Sequence, residues 1–198
     1  MSRPPIELPV EGLSDGAIRL RLIADADVPA VIDACQDPEI PRWTKVPDHY
    51  GEAEAREWLA QQEADHSTGS ALHLVITDAS SDRLLGSAGF TGIDWEDMRA
   101  AIGYWVAAHA RGRGVATRAV SLLADWGIDE LGFGRVEIKA QAENERSQRV
   151  AERAGFAREG LLRSYALMKG RRRDMILFSL LPGDRAKKSS PSNTRTLA

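Results

Sequence analysis

The sequence predicts a mixed α/β (α+β) domain, one sheet with helices on both faces. Three observations carry that reading. Strand-like and helix-like segments follow one another from residue 17 to residue 181 in the order β, α, α, β, β, β, α, β, α, β, β. The 198 residues suit one domain with extensions. A hydrophobic content of 43% and a charged content of 28% are those of an ordinary globular chain.

Residues 1–16 are rich in Pro, Gly and acid and read as an N-terminal arm. "AIRLRLI" (17–23) alternates apolar and polar residues, as a half-buried strand does. "DADVPAVIDACQ" carries Asp25 or Asp27 as a cap and Pro29 in its first turn, so it reads as a short helix. "DPEIPRWTKVPDHY" holds three prolines and reads as an irregular connection. "GEAEAREWLAQQEADH" is a helix with Ala55, Trp58, Leu59 and Gln62 on one side. Then come a strand "ALHLVITDA", a turn "SSD", a strand "RLLGSAGFTGI", a turn "DWEDM" and a strand "RAAIGYWVAA".

In "VATRAVSLLADWGIDELGFG" the residues Val115, Ala119, Leu122, Leu123 and Trp126 recur at helical spacing, and Gly132 and Gly134 supply a stop. "RVEIKAQA" is a strand. "NERSQRVAERAGF" is a helix that Asn144 caps and Gly155 ends. "GLLRSYALM" and "RDMILFSLL" are strands around the turn "KGRR". The domain is expected over 17–182, and the polar, basic stretch 183–198 reads as a disordered tail.

Several function classes are disfavoured at once. No apolar run reaches the ~20 residues of a membrane helix, and the first residues lack a signal pattern. Neither a membrane nor an export route is therefore expected. A net charge of −3 argues against a general nucleic-acid binder. Cys35 is the single cysteine, so no internal disulfide forms, which fits a cytoplasmic location. His49, His66, His73 and His109 are scattered without ligand spacing, so no metal is expected.

The junction "YWVAAHARGRGVATRAV" (104–120) carries the chemistry. A strand that turns at glycines into a helix leaves N–H groups unpaired and aligned with the helix dipole, and such a corner binds anions. Gly112 and Gly114 let the backbone approach a ligand, and Arg111 and Arg113 can add charged hydrogen bonds. On residues alone, a tight turn with two solvated arginines is an equal reading. A P-loop fails for want of a lysine after the glycines, and a Rossmann fingerprint fails at Thr117.

"RGRGVA" matches the [QR]-x-x-G-x-[GA] signature through Arg111, Gly114 and Ala116. With "IGYWV", "ATRAV", "ENERS…VAERAGF", "GLLRSYALMKGRRRDMILFSLL" and "DPEIPRW…EAREWL" in order, the chain resembles the RimJ/RimL branch of the GNAT superfamily of acyl-CoA-dependent N-acetyltransferases over 17–181. The resemblance implies a GNAT fold. Its mostly antiparallel central sheet of about seven strands is splayed between the fourth ("AAIGYWVAA") and fifth ("RVEIKAQA"). It implies acetyl-CoA as co-substrate and a primary amine as acceptor, first a protein N-terminal α-amine and second a small-molecule amine. It also implies an enzyme that is often a homodimer. The alternative is an acyl-CoA-binding sensor or interaction module without significant turnover.

The resemblance also assigns residues. The pantetheine arm is expected on the backbone of Trp105, Val106, Ala107 and Ala108, and the diphosphate on Arg111, Gly112, Arg113, Gly114, Val115, Ala116 and Thr117. Many relatives place a thiolate-protonating tyrosine in the helix after the fifth strand, where this chain has Ala151. Ser147, one turn earlier on the same face, is the replacement expected. Asn144 is expected to cap that helix and to bond the pantetheine. Trp43, Asp94, Trp95 and Glu96 are candidates for the acceptor pocket. No general base declares itself; Asp94, Glu96, Glu137 and Glu143 are the acids within reach, each more simply read as a solvated charge.

Overall fold

The computed structural model describes residues 6–188. Its sheet has eight strands in the order β1-β2-β3-β4-β5-β6-β8-β7. These are β1 Leu13–Ser14, β2 Ile18–Arg21, β3 Leu72–Asp78, β4 Leu84–Asp94, β5 Arg99–Val106, β6 Arg135–Gln141, β7 Ala157–Met168 and β8 Arg171–Leu180. Every neighbouring pair is antiparallel except β5 and β6. The strand beyond the expected seven is β1, contributed by the arm. The fourth and fifth strands of the sequence reading are therefore β5 and β6.

The helices are α1 Val28–Cys35, α2 Glu39–Trp43, α3 Glu52–Thr68, α4 Val115–Asp129, α5 Glu145–Arg153 and α6 Pro182–Lys188. Two departures from expectation have local causes. The proline-rich connection contains α2, because Pro38 and Pro41 fall at the cap and first turn, where a missing N–H costs no helical bond. The start of the expected tail forms α6, where Arg185 meets Asp129 at 2.5 Å and Asp125 at 3.1 Å. Residues 189–198 of that tail, and 1–5 of the arm, lie outside the described residues. The rest of the arm is packed: Ile6 is buried, His66 Nε2 lies 2.9 Å from its carbonyl, and Asp15 pairs with Arg118 at 2.6 Å.

Two cores sandwich the sheet. Alternation sends Leu72, Leu74 and Ile76 of β3 to one face, where α4 buries Ala119, Val120, Leu123 and Trp126. Phe90 sits at its centre, stacked on Trp126 at 6.1 Å and edge-on to Phe133 at 5.3 Å. Truncating so buried an aromatic costs about 3–5 kcal/mol. On the other face Val75 packs with Val31 and Cys35 of α1, Ile40 of α2 and Ala55 of α3.

Candidate active site

Strands β5 and β6 pair only from Arg99↔Arg135 to Ala101↔Glu137. Beyond that point β5 stays with β4 as far as Gly86↔Val106, and β6 stays with β8 as far as Gln141↔Met175. The two strands thus part while each keeps its other neighbour. A bulge in β4 between Phe90 and Gly92 lies beside the point of parting; bulges raise local twist and turn a strand away from its partner.

Ala107 donates its N–H to the carbonyl of Leu85 at 2.9 Å. By the alternation of an antiparallel ladder, the main-chain groups of Trp105 and Gly103 also face β4, and those of Tyr104 and Val106 face the gap. Of the expected Trp105–Ala108 edge, Val106 therefore faces the gap, whereas Trp105 and Ala107 turn their main chain to β4. Trp105 contributes its side chain, on the α1–α3 face. Ala107 and Ala108 leave the strand and line a separate depression of about 200 Å³ with Asp33, Arg83 and His109.

After a 3-10 turn at Ala108–Ala110 the chain passes Gly112 (φ 75°) and Gly114 (φ 77°), and Gly114 caps the 15-residue α4 with no side-chain bond. These left-handed conformations favour glycine. The first α4 amide with a partner is that of Arg118, which donates to the Gly114 carbonyl at 3.0 Å. The amides of Gly112 to Thr117 meet no acceptor among the described residues. A Cβ at Gly112 or Gly114 would find no heavy atom within 4 Å, so the amides stand open. Open amides at the start of a helix suit a diphosphate.

The two arginines divide their work. Arg111 donates from Nε to the Val106 carbonyl at 3.0 Å, and its Nη1 lies 2.6 Å from Asp37. It braces the loop against the α1–α2 connection, so the guanidinium expected to frame an anion is held by partners within the protein. Arg113 is exposed and has no ion pair among the described residues. Val115 turns its side chain into the core, and Ala116 and Thr117 line the cleft.

Across the gap, Asn144 caps α5 by accepting from the Ser147 N–H at 3.1 Å. Ser147 Oγ lies 2.8 Å from the hydroxyl of Tyr104, which also reaches the Ser147 carbonyl at 3.3 Å. Burial pushes the Tyr104 phenol up to about 12, although the Ser147 bond pulls it the other way. Ala151 is fully buried. Sequence reasoning missed Tyr104. The available signal was a hydroxyl on the same strand face as Ala100 and Ile102, where a buried polar group needs a partner.

A cavity of about 1780 Å³ runs from the α4–α5 side through the gap to the α1–α3 face. Its floor there is made of small residues, Ser87, Gly89, Ala101 and Gly103. Trp43 and Trp58 wall it, with Asp65 and His73. Trp43 is held by a bond from its Nε1 to Glu39 at 3.2 Å and by Arg42 over its ring at 4.7 Å. His73 Nε2 is 3.8 Å from Asp65; burial pushes the imidazole below its usual pKa and Asp65 offsets part of that shift. The β7–β8 turn closes the roof, where Lys169 Nζ donates to the Pro41 carbonyl at 2.7 Å and to Asp48 at 2.5 Å.

The expected acids are occupied or absent from this cavity. Asp94 lies on its rim, bonded by the Asp97 amide and by Arg99 at 2.9 Å, which hold its carboxyl below the usual range. Burial would raise Glu137, yet Lys139 and Arg135, each at 2.7 Å, keep it low. Glu143 and Glu96 are exposed and line no part of the cavity. Trp95 is not at the mouth: its Nε1 donates to the Gly69 carbonyl at 2.7 Å and its ring packs 5.3 Å from Phe133. Among the described residues no group of three or more His, Cys, Asp or Glu side chains could hold a metal ion, and no helix is long and apolar enough to cross a membrane.

Comparison with known proteins places this geometry. A family profile described as an acetyltransferase (GNAT) domain matches residues 17–157. An uncharacterized N-acetyltransferase, p20, of Bacillus licheniformis is 34% identical over 167 residues, covering 83% of this chain and 91% of that one. Among solved structures, a putative ribosomal-protein-serine acetyltransferase from Vibrio cholerae superposes with a TM-score of 0.79 at 23% identity, over 89% of this chain and 100% of that one. The ribosomal L7/L12 alpha-N-protein acetyltransferase RimL, solved with coenzyme A, gives 0.77 at 21% identity, over 86% of this chain and 97% of that one.

Proposed function

Because this chain belongs to the GNAT family of acetyltransferases, we propose that it moves an acetyl group from acetyl-CoA to the α-amine of a protein N-terminus by direct attack in a ternary complex. The observation that carries the reading is the parted β5–β6 pair opening directly onto the bare amides of Gly112 to Thr117. The residues fit the co-substrate. Those amides would hold its diphosphate, and the edge at Tyr104 and the Val106 N–H, beside the Val106 carbonyl that Arg111 occupies, would take its pantetheine arm as an added strand. Bound acetyl-CoA supplies an activated acyl group on a thioester. The chain's own residues do the rest.

The gap passes through the sheet, so the acceptor reaches the acyl carbon from the α1–α3 face while the co-substrate occupies the other. Trp43 and Trp58 give that side apolar walls, and the glycine and alanine floor leaves room for a chain end. The amine must arrive neutral. Near pH 7 that costs a protein α-amine about 1–1.5 kcal/mol and a lysine-like amine about 4–5. Of the acids expected as a base, Asp94 and Glu137 are ion-paired and Glu96 and Glu143 lie off the cavity, which suits the cheaper substrate. Ser147, in the first turn of α5, donates a hydrogen bond toward the leaving sulfur, and the dipole of α5 favours negative charge at that place.

A polyamine is the second reading, favoured by Glu54, Glu57 and Asp65 on the cavity face of α3. The reading places the transferase in residues 17–182 and in the cytoplasm, where a buried free Cys35 thiol stays reduced. It includes a homodimer, for which exposed Leu161, Tyr165 and Leu167 of the edge strand β7 offer apolar surface; sedimentation measures that.

Calorimetry with CoA and thiol release with peptides of free N-terminus, the same peptides N-terminally blocked, and spermidine test the proposal. Saturable CoA binding with release only for free-terminus peptides is expected. Release for spermidine alone selects the second reading. CoA binding without release for any amine makes the chain a sensor or interaction module.

A further inference from the structure

We propose that Tyr104 is a positioning residue, which turns the Ser147 hydroxyl hydrogen toward the sulfur that leaves during transfer. The inference rests on the reading that the thioester lies in the β5–β6 gap. Tyr104 comes from the strand along whose open edge the arm would run, and Ser147 from the first turn of α5, beyond β6. Their 2.8 Å contact crosses the gap where the backbone ladder has stopped.

The phenol has one hydrogen to give, and so has the serine. Ser147 Oγ, at 2.8 Å, is a better acceptor for the phenol than the Ser147 carbonyl at 3.3 Å. Once Tyr104 donates to Oγ, the serine hydrogen must point elsewhere. No other partner of Oγ exists among the described residues, and Ser147 borders the cleft. The raised phenol pKa keeps Tyr104 protonated across the working range, so it acts as donor and not as base.

With Phe at 104 the serine hydrogen would be free to rotate. In the reaction the C–S bond breaks with its electron pair on sulfur and the N–C bond forms. The proton that the nitrogen gives up balances the one that sulfur finally takes. Tyr104 itself loses no proton. It holds the donor that meets the developing thiolate, which is how a strand residue supplies what Ala151 of α5 does not.

The ionisation of CoA bound to the protein, followed through thiolate absorbance against pH, reads this without an acceptor. The bound thiol should titrate below free CoA. Ser147→Ala and Tyr104→Phe should each raise its pKa by about one unit, and the double variant no further. Ser147→Thr, which keeps a hydroxyl, should restore most of the shift in the Tyr104-containing chain. In turnover, Tyr104→Phe should lower kcat about tenfold or more with the KM for acetyl-CoA within twofold. A Tyr104→Phe protein whose bound thiol titrates as in the parent overturns the proposal. So does an effect of Tyr104→Phe that persists undiminished in the Ser147→Ala background, since that is the mark of a structural role. A parent protein that binds no CoA removes the functional reading and this inference together. One that binds CoA but acetylates no amine removes only the acceptor reading and leaves the thiol titration to decide.

Discussion

Lys169, at the tip of the β7–β8 hairpin, lies 2.5 Å from Asp48 in the loop between α2 and α3. The two residues are 121 positions apart, and their contact ties together two loops whose neighbouring residues Met168 and Pro47 roof the cavity on the acceptor side. Asp48 is 72% exposed, so the ion pair itself contributes little stability, ~1 kcal/mol or less. Its effect should fall on the substrate. Lys169→Ala should leave the unfolding midpoint in urea nearly unchanged. It should raise the KM for a peptide acceptor roughly threefold or more, with the KM for acetyl-CoA constant, as expected when a closing loop is loosened. Steady-state kinetics that show equal changes for both substrates would reject a roof role.

Gly114 tests the diphosphate seat. Its φ of 77° strains any side chain by about 1–2 kcal/mol, but space is open around it. Gly114→Ala should therefore fold with a modest loss of stability and bind CoA with reduced affinity. Gly114→Glu adds a carboxylate in front of the bare amides, which would bind it in place of phosphate. We expect its Kd for CoA by calorimetry to rise at least tenfold above that of Gly114→Ala. Equal affinities would place the diphosphate elsewhere.

Asn144 holds the start of α5 through one bond to the Ser147 amide. Asn144→Ala should cost ~1 kcal/mol in chemical denaturation. Asn144→Asp should keep that stability, because a carboxylate caps equally well and suits the positive end of the helix. The turnover of the two variants should diverge from their stability: both lose the amide that the arm would contact, so both should show a raised KM for acetyl-CoA. A normal KM in Asn144→Asp would limit the residue to capping.

What the sequence discloses here is what local chemistry determines. The strand-to-helix corner is legible because glycines and the spacing of Val115, Ala119 and Leu123 are local signals. Asn144 is legible because caps depend on residues three apart. Tyr104 is not, since its meaning lies in Ser147, 43 positions away. Arg111 misled for the same reason: in sequence it adjoins the anion corner, but its guanidinium is taken by Asp37, 74 positions earlier in the chain. Trp95 has the look of an exposed turn residue until Phe133 and Gly69 are brought against it. His73 shows strand alternation, which cannot reveal that the facing floor is glycine.

His73 should mark the pH dependence of stability. Its folded pKa lies below the ordinary 6.5 because burial disfavours the charged ring, with Asp65 of α3 the only charge that opposes this. The facing positions on β4 and β5, Gly89 and Gly103, carry none. Between the two pKa values the unfolded chain binds the proton and the folded protein does not. Stability is therefore full above about pH 6.5 and declines as pH falls toward the folded value. The lowered carboxylates, such as Glu159 at about 2, lose their contribution only at lower pH, below their ordinary 4.5. His73→Gln should flatten the slope of unfolding free energy between about pH 5 and 6.5 and leave the acid limb intact. An unchanged slope would mean that the ring is solvated.

Arg111 and Arg113 sit two residues apart, yet only Arg113 should contribute to the salt dependence of CoA binding. Arg111 donates from Nε to the Val106 carbonyl at 3.0 Å and its Nη1 forms an ion pair with Asp37 at 2.6 Å, and both partners belong to the protein. Lysine is a single point donor and cannot reproduce both contacts. Arg111→Lys should thus destabilise by ~1–2 kcal/mol, close to Arg111→Ala, because the carbonyl or the carboxylate is left without its partner. Any loss of CoA affinity would come from a shifted loop, so the slope of log Kd against log salt should match the parent. Arg113 is exposed beside the bare amides with no ion pair among the described residues. Arg113→Ala should keep the parent's stability, weaken CoA binding at low salt, and shrink that slope, since screening acts on exposed charge pairs. If Arg111→Lys shrinks the slope and Arg113→Ala does not, then Arg111 must release Asp37 when the anion binds, and the brace is also the frame.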